Sequence, residues 1–293
     1  DDDEDDEAAL AADIAADQAA MSMQDVQMAI DGGKDSDDKH FGSADEFHSV
    51  TKRDEWYAGS TSYWNGVQAD VDGMLGGLGG LHDPDIAGSL QFIDHLRSLS
   101  PALANGVALD CGAGIGRVSR SVLLHRFTSV ELLEPSSDFL TTAKQKLPSD
   151  RVGAYHCVGL QDFVPSPATR YAVVWIQWVL NYLTDDDLVA FLIRCKNSLQ
   201  PNGGTPSALH TLHSSPTLLS AYTLPHPLHS HTGRIVIKES VSRPANGFYV
   251  DREDSSITRT GEHFRSLSAK AGLVVEACRL QANMPKGLFP VWM

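Results

Sequence analysis

The chain is predicted to fold as a doubly wound α/β domain around a mostly parallel sheet, and three observations predict it. Short apolar runs alternate along the chain with stretches of helical period. A glycine-rich turn, "DCGAGIGR" (110–117), joins the first of those runs to a helix. The run "YAVVWIQWVL" (171–180) is too continuously apolar for a surface strand, as expected of one covered on both faces.

In chain order, "DIAGSLQFIDHLRSL" (85–99) sets Ile86, Leu90, Ile93, Leu96 and Leu99 at helical spacing. "GVALD" (106–110) reads as a buried strand running into the glycine loop, with a helix from about residue 115. "SVELLEP" (129–135) is a second strand, "DFLTTAKQKL" (138–147) a second helix, and "GAYHCVGL" (153–160) a third strand. After the fourth strand, Thr184 caps a helix with Asp187 three residues on; Leu188, Phe191, Leu192, Cys195 and Leu199 form its inner stripe, and Asn202-Gly203 ends it. "GRIVIKES" (233–240) is a fifth strand, 256–272 a helix, and "LVVEACRL" (273–280) a sixth strand. "GLFPVWM" (287–293) begins the last strand, which reads as incomplete.

Charge divides the chain. The formal net charge is −15, but residues 1–50 carry 16 acidic and 2 basic residues, and the other 243 are nearly balanced. Residues 1–50 are expected to be an acidic, solvated and unfolded tail, with transient helix at most in the Ala-rich run 8–30, and residues 51–293 a single domain. The missing initiator methionine reads as a fragment or a processed product. The Ala-rich run is not apolar enough for a signal peptide or a membrane span. Without a basic face, there is no electrostatic case for nucleic acid. Cys111, Cys157, Cys195 and Cys278 stand far apart in otherwise apolar segments, a pattern of reduced, buried thiols in a cytoplasmic or nuclear protein.

Residues 204–232 break the alternation. They hold no Asp, Glu, Lys or Arg but ten Ser/Thr, five His and four Pro, in a spacing that matches no metal-ligand pattern. Joining "PNG" directly to "GRIVIKES" restores an ordinary helix–turn–strand connection, so the run is expected to be a disordered insertion. No metal is expected.

The glycine loop alone is compatible with a dinucleotide, a phosphate group or S-adenosylmethionine. A dinucleotide loop places its third glycine three residues after the second. Gly112 and Gly114 fit that pattern, but Arg117 stands at the third place and Gly116 is one place early. An acidic residue followed by GxGxG after the first strand is the usual S-adenosylmethionine loop. Downstream residues fit that cofactor. Glu134, at the end of the second strand, can accept both ribose hydroxyls; Leu160 and Gln161 (with Asp162) suit the adenine. Gln177 lies beside the methionine portion, and Arg117 can pair with the methionine carboxylate.

At this point the chain resembles the protein alpha-N-methyltransferases that modify the N-terminal amine of Xaa-Pro-Lys proteins. "YWNGVQADVDGMLGG" (63–77), "ALDCGAGIGR" (108–117), "GLQDF" (159–163), "WIQWVL" (175–180), "LIRCKNSLQPNG" (192–203), "IVIKE" (235–239) and "DREDSSITR" (251–259) carry the resemblance, which covers about residues 55–293 apart from 204–232. It implies a Rossmann-like, mostly parallel seven-stranded sheet of the class I methyltransferase kind with an N-terminal helical extension, S-adenosylmethionine as cofactor, and peptides with free Xaa-Pro-Lys N-termini as partners. It implies further that Trp64 and Trp178 line the peptide channel and that Gly76 lets the peptide backbone approach. Asp251, Asp254 and Ser256 would meet the peptide's N-terminus and its lysine, with Asp254 taking the proton from the amine. Two positions depart from the family pattern: Tyr182 stands where many members have histidine, and Ser240 where they have asparagine. Tyrosine is a poor base at neutral pH, which leaves that work to Asp254. Two other readings share these residues, a catalytically impaired protein that binds cofactor or peptide and a methyltransferase for lysine side chains or small molecules.

Overall fold

The computed structural model describes residues 32–99, 103, 105–201, 231–285 and 287–293. The first part of the expected tail and nearly all of the expected insertion lie outside the described residues.

Two strands, β1 (Gly33–Asp35) and β2 (His40–Phe41), open the described chain, followed by α1 (Ala44–Val50), α2 (Arg53–Asn65), α3 (Val71–Met74) and the long α4 (His82–Leu99). The alternating part then runs β3 (Val107–Cys111), α5 (Arg117–Ser121), β4 (Ser129–Leu133), α6 (Ser137–Lys146), β5 (Val152–His156), β6 (Tyr171–Gln177), α7 (Asp185–Asn197) and β7 (Arg234–Ser240). It closes with β8 (Phe248–Asp251), β9 (Ser256–Thr258), α8 (Gly261–Lys270) and β10 (Val291–Trp292).

The main sheet has the order β10-β7-β6-β3-β4-β5, parallel throughout except for β10. Its two faces bury alternate residues of each strand. Ala108, Val130, Leu132, Val173 and Trp175 join one core, while Leu109, Leu133, Val174 and Ile176 join the other. All seven positions of β6 are buried, which explains its unbroken apolar run. Helix α7 begins where its sequence signals place it: Thr184 accepts from the Asp187 N–H, acids fill the first turn, and Arg194 and Lys196 sit in the last.

Four expectations are corrected. Residues 33–50 are folded, although acidity alone assigned them to an unfolded tail. Phe41 and Phe47 anchor them in a third core with Trp56, Phe248, Val250 and Ile257, and β1 pairs in parallel with β8 to give a small sheet of order β2-β1-β8-β9. Two aromatic anchors suffice because most of the charges face water, and the buried Asp35 is paired with Arg252. Next, the helix expected over 256–272 starts only at Gly261; Ser256–Thr258 instead form β9, antiparallel to β8, and Thr260 caps the helix by accepting from the His263 N–H.

Third, the main sheet has six strands among the described residues, against seven expected. Residues 273–280 form none, and Val274 and Val275 are 81% and 51% exposed. A strand needs an edge to pair with. Here β10 offers only two residues, so the segment gains a bridge from Leu280 to Trp292 and paired bonds between Arg279 and Met293. Among the cysteines, Cys111 and Cys195 are buried as expected, whereas Cys157 and Cys278 are exposed. Among the described residues no helix is long and apolar enough to cross a membrane.

Candidate active site

The C-terminal ends of β3, β4 and β6 open into a cavity of about 580 Å³, within the ordinary range for a small-molecule site. Its floor is the glycine loop. Gly112, Gly114 and Gly116 all lie in the left-handed region, with φ of +66°, +52° and +74°. This is why glycines recur at every second position. The loop is also tightly flanked: a Cβ on Gly112 would lie 2.6 Å from the Val179 side chain, and one on Gly114 2.6 Å from the Met74 sulfur. Asp110 turns away to fasten the loop to α5, its Oδ2 accepting from the Ser119 N–H (3.0 Å) and hydroxyl (2.7 Å). Burial pushes its carboxyl up to about 6.

Glu134 follows β4 and faces the loop. Its Oε2 accepts from the Gly114 N–H at 3.0 Å and its Oε1 from the Ser136 N–H at 2.9 Å. Each oxygen keeps further acceptor capacity for a diol. Burial pushes this carboxyl up to about 7 against the pull of those two N–H groups. Leu160 and Gln161 lie on the same wall.

A buried charge cluster closes the other end. Asp85 of α4 receives Arg117 (Nη1 to Oδ2, 2.6 Å), Lys238 of β7 (Nζ to Oδ1, 2.5 Å) and the Gln177 amide (2.9 and 3.1 Å). Arg117, expected to be available for a ligand carboxylate, is thus already paired, and Gln177 points its N–H groups at Asp85. Burial drives the Asp85 carboxyl up, but the two cations outweigh it and hold it below the usual carboxylate range. Two cations against one carboxylate leave one positive charge, which a ligand carboxylate at Arg117 would balance. Left-handed glycines, a diol acceptor and a residual positive charge together fit S-adenosylmethionine.

The opposite wall comes from elsewhere in the chain. Trp64 of α2 meets Tyr182 edge to face, with ring centroids 5.9 Å apart. Trp178 has φ +53°, an uncommon conformation for a non-glycine residue. It is held by its N–H on Lys238 O (3.0 Å) and by Glu239, whose Oε2 accepts from the Val179 and Leu180 N–H groups, both at 3.0 Å. The Tyr182 hydroxyl donates to Asp254 Oδ2 at 3.0 Å, while Asp254 Oδ1 is buried without a partner. Burial raises the Asp254 carboxyl, against the opposing pull of the nearby Ser256 and of the Tyr182 hydroxyl. Burial and the neighbouring Asp254 push the Tyr182 phenol well above its ordinary value, so it remains a donor.

Trp64, Trp178, Tyr182, Ser240 and Ser256 line the cavity together with the cofactor-side residues. Asp254 stands one step behind Tyr182. Gly76 and Asp251 are outside the wall: Gly76 occupies an open turn at φ +59°, and Asp251 Oδ1 accepts from the Glu253 N–H at 2.9 Å. The left-handed turn alone requires glycine at 76. Sequence reasoning missed Asp85, Lys238 and Glu239. A signal existed for the last two, since charged residues stand within the apolar run "IVIKE". Burial pushes the Glu239 carboxyl up to about 7.

Comparison with known proteins agrees with this geometry. An alpha N-terminal protein methyltransferase 1 from Schizosaccharomyces pombe is 40% identical over 242 residues, covering 82% of this chain and 95% of its own. An N-terminal Xaa-Pro-Lys N-methyltransferase 1-B from Xenopus laevis is 39% identical over 246 residues, covering 83% of this chain and 96% of its own. The solved structure of a SAM-dependent methyltransferase from Leishmania major superposes with a TM-score of 0.73 at 34% identity, covering 89% of this chain and 94% of that one. The profile of the AdoMet-dependent proline di-methyltransferases matches residues 52–205 and 227–293, skipping 206–226 and beginning after β1, β2 and α1. With the fold, the loop and these matches in agreement, the chain belongs to the AdoMet-dependent proline di-methyltransferase family and is an S-adenosylmethionine-dependent methyltransferase.

Proposed function

We propose that this protein methylates the α-amino group of protein N-termini of the Xaa-Pro-Lys type. The observation that carries the reading is Asp254 Oδ1, buried without a hydrogen-bond partner directly behind the cavity-lining Tyr182. Bound S-adenosylmethionine supplies a methyl group already activated on a sulfonium. The chain must therefore supply position, a dry channel and a place for one proton.

Gly112, Gly114, Glu134, Leu160 and Gln161 hold the nucleoside part, and Arg117, with Gln177 behind it, the methionine part. Trp64 and Trp178 confine the peptide's first residue and its proline. An α-amine has a pKa of about 7.7–8.0, so at neutral pH it arrives mostly as ammonium. Asp254 Oδ1 holds that ammonium and accepts the proton, directly or through water, while Tyr182 fixes the other oxygen. The raised Asp254 pKa brings the carboxylate closer to the amine it must deprotonate. Ser240 lines the same cavity and has a hydroxyl able to donate or accept a hydrogen bond there. Asp251 and Ser256 offer the lysine an acidic, polar rim, which would repel a phosphate backbone. Free thiols suit a cytoplasmic or nuclear setting.

Tandem mass spectrometry of a Xaa-Pro-Lys peptide after reaction tests the reading. The added methyl groups are expected on the first residue's nitrogen. Localisation on the lysine side chain would contradict it.

A further inference from the structure

The turn between β8 and β9, "DREDSS", carries three acids, Asp251, Glu253 and Asp254, and one cation, Arg252. An arginine between these acids should offset one of them and compete with a lysine for the rest. The structure places it elsewhere. Arg252 reaches across to β1, where its Nε and Nη2 lie 2.7 and 2.6 Å from Asp35 Oδ2, with Asp37 Oδ2 3.7 Å from Nε. Asp35 is itself fixed: it is 1% exposed, and its Oδ1 accepts from the Asp37 and Lys39 N–H groups at 3.0 and 2.9 Å. The surrounding backbone locks the same contact, with Asp35 in register with Val250, Ser36 N–H on Val250 O (2.8 Å) and Arg252 N–H on the Ser36 hydroxyl (3.3 Å).

Resting on the peptide reading above, we propose that Asp35 is a specificity-determining positioning residue. By sequestering Arg252 on β1, it leaves all three acids of the 251–254 turn unpaired by that guanidinium and open to a cationic third residue of the peptide. The folded 33–50 segment then has a function in substrate choice as well as in support. Released from Asp35, the guanidinium has its own neighbours Asp251, Glu253 and Asp254 as alternative partners, and there it competes with the substrate's ammonium. At a few ångströms and with water-like screening in an exposed turn, such a competing charge changes affinity by about three- to tenfold.

The test is steady-state kinetics of the full chain on two peptides differing only at the third residue, Lys or Gln, for the native protein, Asp35→Asn, Arg252→Gln and the double variant. Cofactor affinity is measured in parallel by calorimetry. In Asp35→Asn the Lys-over-Gln preference in kcat/KM is expected to fall about three- to tenfold through KM of the Lys peptide, with cofactor affinity unchanged. Removing the cation as well should restore the preference to within about twofold of native, and Arg252→Gln alone should leave it there. A KM rise equal for both peptides, an unchanged preference, or a double variant no better than Asp35→Asn would overturn the proposal. Should Asp35→Asn not fold, Arg252→Gln still decides: a preference raised more than about threefold would mean that Arg252 already acts on the peptide in the native protein. Native protein that methylates neither peptide would instead overturn the peptide reading itself.

Discussion

The two walls of the cavity are built by different means. The cofactor wall comes from one sheet edge: a left-handed glycine loop after β3, a carboxylate after β4 and an amide at the end of β6, all on consecutive crossovers. The wall proposed for the peptide is assembled from segments far apart in the chain, Trp64 on α2, the turn 178–182, Ser240 at the end of β7 and the β8–β9 hairpin. Backbone geometry shapes the first wall. Side-chain bonds between distant segments hold the second, among them Tyr182 on Asp254, Trp56 Nε1 on Tyr182 O and Arg252 on Asp35. Changes on one wall should therefore leave the function of the other largely intact.

The largest separation is expected at Asp254. Asp254→Asn keeps the shape but removes the proposed proton acceptor, so turnover should fall by about 10²- to 10⁴-fold while cofactor affinity measured by calorimetry stays within about twofold. An equal loss of both would show that the two walls are not independent.

Gly112→Val breaks the other wall. It places a branched side chain at φ +66° against Val179, and cofactor affinity should drop roughly a hundredfold in protein whose circular dichroism remains native. Glu134→Gln is gentler, with an expected loss of about tenfold, and it also tests the electrostatics. Ribose hydroxyls donate to the ionised carboxylate, but in the free protein Glu134 titrates at about 7 and is protonated below that. Cofactor binding must then expel the proton at low pH. Native affinity should rise with pH up to about 7 and level above it, and Glu134→Gln should lose that part of the rise. A pH dependence identical in both proteins would contradict the assignment.

Trp56→Phe is the smallest change. It removes the 2.8 Å bond to Tyr182 O, worth about 1 kcal/mol, and should lower Tm by about 2–4 °C with a modest rise in peptide KM and no effect on cofactor affinity.

The same contrast explains what could be read in the sequence. The glycine loop and Glu134 are legible because their constraint is local: positive φ selects glycine, and a strand end presents its acid at a fixed place. Asp85 and Lys238 are not, since they are 153 residues apart and each alone reads as an ordinary helix or strand residue. Phe41 and Phe47 lie in an acidic run whose charge masked them, so β1 and α1 were assigned to a tail. The strand expected over 273–280 has the right residues but no adequate edge to join, which is a property of β10 and not of its own sequence. The roles expected for Asp254 and Trp64 came from the family resemblance, since nothing in their spacing fixes a contact between α2, the 178–182 turn and a hairpin near residue 254.

The central claim is that the two walls meet at a free peptide N-terminus. Intact-mass measurement of a Xaa-Pro-Lys peptide and its N-acetylated twin, each incubated with the protein and S-adenosylmethionine, tests it most directly. Methyl-sized increments on the free peptide and none on the acetylated one are the predicted result; increments on both, or on neither while the cofactor still binds, would contradict it.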